Sequence, residues 1–118
     1  MHKTHVIAVV DDDEAMRTSL SSLLRASGYQ VLSYVGPVQY LESEGPAQTD
    51  CLISDIQMPG MTGLQMHAVL QARGFGVPVI FVSAHAGDLP TSVNGVIACL
   101  AKPFLAERLL ACLEHALG

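Results

Sequence analysis

The chain has 118 residues, one domain's worth, with six Lys/Arg against eleven Asp/Glu and a formal charge of −5. Half of the residues are hydrophobic and only 14% are charged, against about a quarter in an average soluble domain, which excludes an intrinsically disordered chain. No Lys/Arg cluster is present, so the sequence carries no electrostatic footprint for direct nucleic-acid binding.

Apolar runs alternate with segments of helical period along the whole chain. Val6 to Val10 is a continuous apolar run before four acidic residues, too short for a signal-peptide core or a membrane span and suited to a strand buried on both faces. Met16, Leu20, Leu23 and Leu24 fall at i, i+4, i+7, i+8 and predict an amphipathic helix that stops at Gly28. Gln30 to Tyr34 mixes polar and apolar positions, as an edge strand does, and Pro37 to Glu42 predicts a short helix ended by Gly45-Pro46. Cys51 to Ile53 reads as a third strand, Leu64 to Arg73 as a helix closed by Gly74, and Val79 to Val82 as a fourth strand. Asp88 to Asn94 leaves room for only a short or irregular helical segment before the fifth strand, Val96 to Leu100. Leu105, Leu109, Cys112, Leu113 and Ala116 give the apolar face of a last helix. Cys51, Cys99 and Cys112 are odd in number and form no CxxC unit, which predicts reduced thiols in a cytoplasmic protein.

Strands alternating with helices imply right-handed βαβ crossovers. The expected fold is therefore α/β: a doubly wound, five-stranded parallel sheet in the flavodoxin-like order 2-1-3-4-5, forming a single domain over residues 1–118. Ligands in such sheets bind beyond the carboxyl ends of the strands, so the residues that follow each strand matter most. They are Asp11, Asp12, Asp13 and Glu14 after the first strand, Asp55 after the third, Ser83 after the fourth, and Lys102-Pro103 after the fifth.

Each has an ordinary structural role when taken alone. Asp12 or Asp13 can cap the first helix, Ser83 can be a capping hydroxyl, and Lys102 a solvated amine. Asp55 is different, because a carboxylate at the end of a buried strand is costly unless compensated. Two carboxylates at ~4 Å repel by about 4 kcal/mol at an effective dielectric of 20. A hard divalent cation resolves that repulsion, and Mg²⁺ (or Mn²⁺) takes carboxylate, water and phosphate oxygens. With Lys102 and Ser83 able to meet phosphoryl oxygens, the set suits phosphoryl transfer, with Asp55 as a nucleophile that needs no separate base.

The sequence resembles the receiver domains of two-component response regulators from Val6 to about Leu117. Asp55-Ile56-Gln57-Met58-Pro59-Gly60-Met61-Thr62-Gly63 resembles the family's phosphoacceptor loop, Val10 to Glu14 its acidic pair, and Lys102-Pro103-Phe104 its lysine and following proline. The wording of Val10 to Leu20 is similar to the FixJ-like branch, whose receivers often precede a DNA-binding domain. The resemblance implies that Asp11 and Asp12 are the metal-binding pair, Asp55 the phosphoacceptor, and the Gln57 backbone carbonyl a further metal ligand. It likewise implies Ser83 as the switch hydroxyl, Lys102 as the phosphoryl-pairing lysine, a cis peptide before Pro103, and a sensor histidine kinase as partner. Gln57 and His85, two positions beyond Asp55 and Ser83, then tune the phosphoryl lifetime. Asp13 and Glu14 become helix cap and solvated face.

Two features depart from that pattern. Cys99 stands three positions before Lys102, where such receivers commonly carry an aromatic that turns inward on activation. The segment between Ser83 and Lys102 is also about a helical turn shorter than in that branch, taking ~3.6 residues per turn. Both fall on the face from the fourth strand to the last helix, the surface on which a homodimer is expected. Three readings stand: a phosphoacceptor controlling an output outside this chain, a receiver-fold interaction module with vestigial phosphorylation, and an aspartyl phosphatase. The last lacks an acid/base partner, since Gln57 cannot exchange a proton. His67 is expected to pack on the helix after Asp55, while His2, His5 and His115 read as surface residues without metal-ligand spacing.

Overall fold

The computed structural model describes residues 4–84 and 95–118, with the side chain of Ile97 outside that description. Five parallel strands, β1 (Val6–Val10), β2 (Gln30–Tyr34), β3 (Cys51–Asp55), β4 (Val79–Ser83) and β5 (Val96–Ala101), form one sheet in the order β2-β1-β3-β4-β5. The helices are α1 (Glu14–Ala26), α2 (Pro37–Leu41), α3 (Gly45–Gln48), α4 (Gly63–Ala72) and α5 (Ala106–Leu117). The expected order and α/β class are therefore those of the molecule. The segment Asp88 to Asn94 and His85 lie outside the described residues.

Two-residue alternation sorts the strand side chains into two cores. Ala8, Val10, Leu52, Val79 and Phe81 face one side, with Tyr40, Leu41, Met66 and Leu70 from α2 and α4. Ile7, Val9, Ile53, Ile80 and Val82 face the other, under Leu20 and Leu24 of α1 and Leu109 and Leu113 of α5. Each large apolar side chain so buried contributes about 1.5–3 kcal/mol. Continuous apolar runs are what a strand covered on both faces requires, and β2, half-buried at the sheet edge, is the mixed one.

Local signals set the helix ends. The Asp13 carboxylate accepts the Met16 N–H at 3.2 Å and caps α1, and Gly28 follows the helix at φ 93°. Thr62 and Gln65 form a reciprocal capping box at the start of α4. One boundary differs from expectation: Gly45-Pro46 opens α3 instead of only ending α2. Proline is tolerated in the first helical turn, where its missing N–H has no intrahelical partner to lose. The last helix and the strands run within two residues of their expected bounds, β3 extending through Ser54 and Asp55 because both remain paired.

Gly63 holds the loop after β3 against the sheet. Its N–H donates to the Ile56 carbonyl at 2.8 Å, and a Cβ there would run into the Asp55 carbonyl oxygen and meet the Phe81 ring at 3.0 Å. Gly63→Ala is expected to cost about 1–3 kcal/mol by overpacking, whereas Gly76→Ala, whose added Cβ meets nothing within 4 Å, should be neutral or stabilising by up to about 1 kcal/mol. Urea denaturation of the two variants checks the contrast.

The three cysteines are free thiols. Burial pushes the Cys51 thiol from 9.0 up to about 12, so between these values the unfolded chain releases a proton that the folded chain keeps. Stability is thus retained below about pH 9 and declines as pH rises toward 12, with a slope of roughly 1.4 kcal/mol per pH unit from this one group. Urea midpoints measured across that range should fall less steeply in Cys51→Ala than in the parent.

Candidate functional site

Strand register brings the polar residues together. Val10 lies opposite Ser54 in the β1–β3 pair, so the next residues, Asp11 and Asp55, leave the sheet side by side. Asp55 in turn lies opposite Val82, and Ser83 opposite Ala101, which puts Lys102 at the same end of the sheet. The Lys102 N–H donates to the Ser83 carbonyl at 2.7 Å and fastens the ends of β4 and β5 together. The peptide between Lys102 and Pro103 is cis.

The Lys102 ammonium sits between the two carboxylates, with Nζ 2.9 Å from Asp55 Oδ2 and 3.3 Å from Asp11 Oδ2. The other oxygen of each carboxylate is held by the backbone two residues on: Asp11 Oδ1 accepts the Asp13 N–H at 2.9 Å, and Asp55 Oδ1 accepts the Gln57 N–H at 3.1 Å. These bonds fix which edge of each carboxylate faces the lysine. Asp11 is 1% exposed and Asp55 9%, while Asp12 is exposed at the rim. Carboxylate oxygens of Asp11, Asp12 and Asp55 all lie within 4.8 Å of one another.

Three carboxylates against one ammonium leave the pocket net negative. Burial raises the Asp11 carboxyl above its ordinary value, although the Asp13 N–H and the Lys102 charge pull it down. For Lys102, burial is the largest single influence and lowers its pKa, but the Asp55 hydrogen bond and the charges of Asp11 and Asp55 together outweigh it and raise the ammonium. The lysine therefore stays charged at neutral pH. An all-oxygen donor set with surplus negative charge fits a hard divalent cation of the Mg²⁺ or Mn²⁺ type, which takes one or two carboxylates and keeps other positions for water and phosphate oxygens.

Asp11, Asp12, Asp55 and Lys102 thus converge as expected from their places after the strands. Ser83 is fully buried at the end of β4, beside this cluster in the strand order. Gln57 contributes its amide to Asp55 and exposes its side chain. Cys99 stands away from the cluster, opposite Phe81, half-buried against the α4-side core. His67 is buried on α4, edge-on to Phe81.

Two residues that shape the site are not marked by any motif reading of the sequence. Arg17 Nη1 donates to the Asp11 carbonyl at 2.8 Å and ties α1 to the acidic turn. Ser54 Oγ, fully buried, donates to the Asp55 carbonyl at 2.8 Å. Arg17 sits about one turn into α1, a placement that becomes informative only once the helix is known to start at Glu14.

The chain is 40% identical over 116 residues to the response regulator protein TmoT of Ectopseudomonas mendocina, covering 95% of this chain and 52% of TmoT. It is 35% identical over 116 residues to the transcriptional regulatory protein FixJ of Azorhizobium caulinodans, covering 95% and 54%. The chain therefore spans about half the length of the curated relatives it matches. The solved structure of the response regulator StyR superposes with a TM-score of 0.88 at 38% identity, over 98% of this chain and 60% of that one. Residues 7–114 match the model of the response regulator receiver domain, and the chain belongs to that family of two-component signalling domains.

Proposed function

We propose that Asp55 is the phosphoacceptor, receiving a phosphoryl group from the phosphohistidine of a sensor kinase and passing the change to an output. The observation that carries this reading is the Lys102 ammonium held between Asp55 and Asp11 at the carboxyl ends of β3 and β1. In the reaction an Asp55 carboxylate oxygen forms a bond to phosphorus while the phosphorus–nitrogen bond to the donor imidazole breaks. Asp55 needs no base, because it attacks as a carboxylate. Lys102, already paired with Asp55 Oδ2, is placed to pair with a phosphoryl oxygen as the carboxylate charge is consumed. Asp11, Asp12, Asp55 and the Gln57 carbonyl would hold a Mg²⁺ or Mn²⁺ ion, which when bound supplies positive charge to the transferring phosphoryl oxygens.

Ser83 is assigned the switch hydroxyl, its place at the end of β4 putting it next to β5 and its link to Lys102. Gln57 and His85 are assigned the control of water access to the acyl phosphate. Cys99 supplies no ring for an aromatic switch, so the output of this receiver runs through packing on the face from β4 to α5, where a phosphorylation-dependent homodimer would form. The half-length match to a response regulator protein and to a transcriptional regulatory protein supports a C-terminal output domain outside this chain, and we place its action in the cytoplasm. Among the described residues, no helix is long and apolar enough to cross a membrane.

With acetyl phosphate and Mg²⁺, the chain should gain one phosphoryl group by intact mass, and Asp55→Asn should gain none. Lys102→Met should slow labelling by roughly tenfold or more, since a charge-assisted contact is worth about 1.5–3 kcal/mol. Labelling that persists in Asp55→Asn would remove the assignment of Asp55, and no labelling of the parent chain would leave an interaction module without the proposed chemistry. Mg²⁺ at about ten times its dissociation constant should raise the unfolding free energy by about 1.4 kcal/mol, an effect absent in Asp12→Ala; denaturation midpoints with and without the ion read it directly.

A further inference from the structure

We propose that the groove beside the acidic pocket, between the β2–α2 segment and the loop after β3, is a subsite for the apolar leaving group of a small acyl phosphate, so that the chain selects butyryl phosphate over acetyl phosphate as a phosphoryl donor. The inference rests on the reading of Asp55 as the phosphoacceptor. The groove has a volume of about 240 Å³, below the roughly 300–1,000 Å³ of pockets for drug-sized ligands, which suits a chain of a few carbons. Val35, Pro37 and Val38 line it from the β2–α2 segment, Met58 and Pro59 from the loop after β3, and Asp12 from the acidic turn.

Asp12 joins the groove to the reacting position. Its carboxylate lies within 4.8 Å of those of Asp11 and Asp55, and Asp12 also lines the groove. Asp55 is nearly buried while Asp12 stands exposed at the rim, so a donor enters with its phosphorus inward and its leaving group outward. With the phosphorus about 3–3.5 Å from the attacking Asp55 oxygen, in-line geometry puts the leaving oxygen about 5 Å from that oxygen, on the Asp12 side of the pocket. A bond forms between the Asp55 oxygen and phosphorus, the phosphorus–oxygen bond to the acyl group breaks, and the carboxylate product leaves with the electron pair. The two further methylenes of a butyryl group extend the leaving group along the groove. Its lining selects an uncharged chain. Val35 and Val38 are 50% and 48% exposed, two of the three large hydrophobic side chains left exposed among the described residues, and covering them with methylenes removes apolar surface from water. Asp12 is the one charged residue on the lining among the described residues, and it opposes a leaving group that carries a second negative charge.

The test follows phosphoryl gain by intact mass, with Mg²⁺ and either acetyl phosphate or butyryl phosphate at equal concentrations below saturation. Rates are normalised to phosphoramidate, whose ammonia leaving group carries no carbon. Acetate and butyrate are leaving groups of nearly equal basicity, so the chemistry alone predicts equal rates. A fully buried methylene is worth about fourfold, and two of them in a groove open to solvent should make butyryl phosphate faster by about fivefold or more. Val38→Ser and Val35→Ser, at exposed positions where substitution leaves folding nearly unchanged, should each cut the butyryl-to-acetyl ratio to about twofold or less. Equal or slower labelling by butyryl phosphate, or a ratio that survives in both valine variants, would overturn the subsite and leave Asp55 as the phosphoacceptor. No labelling by any of the three donors, or labelling that persists in Asp55→Asn, would overturn the phosphoacceptor reading and the subsite with it.

Discussion

Two carboxylates from different strands, Asp11 and Asp55, end side by side in a nearly buried pocket because Lys102 stands between them. Without that ammonium, repulsion of about 4 kcal/mol for a pair near 4 Å would oppose the parallel pairing of β1 with β3 at the point where both strands end. One lysine offsets only part of the charge, since Asp12 adds a third carboxylate at the rim. The fold thus holds a net negative pocket under electrostatic load, and this load is what a cation can relieve. The supporting contacts are backbone bonds two residues along from each aspartate, so the load is carried by turns whose geometry the flanking helices fix.

Sheet topology explains why residues so distant in sequence meet. Parallel strands all present their carboxyl ends to the same side, and the order β2-β1-β3-β4-β5 makes β1 and β3 neighbours where the chain reverses its direction of winding. The first and third strands therefore deliver the acids. The fifth delivers the lysine from two strands away, its N–H bonded to the end of β4. A change at the pocket reaches β5 through one residue of backbone, and Cys99 packs near that strand's centre against Phe81.

Much of this was legible in the residues. Continuous apolar runs identified the buried strands, Asp13 and Gly28 bracketed α1, and Asp11, Asp12, Asp55 and Lys102, each just beyond a strand, come together at one end of the sheet. The reading was less complete where one residue serves two local grammars. Gly45-Pro46 reads as a stop, yet proline also begins helices, and here α3 starts on that pair. The Thr62–Gln65 capping box was present as a Thr-x-x-Gln spacing that only the structure distinguishes from chance. Arg17 and Ser54 act through backbone carbonyls of Asp11 and Asp55, and a side chain that reads the backbone leaves no partner pattern in sequence.

The nucleophile is the point on which the functional account rests, and it can be identified chemically. Borohydride reduces an aspartyl phosphate to homoserine, so treatment of the chain after acetyl phosphate and Mg²⁺, followed by peptide mass spectrometry, marks the acceptor in place. The account requires homoserine at position 55 alone. Homoserine at position 11, 12 or 13, or none at any aspartate under conditions that reduce a known acyl phosphate, would contradict it.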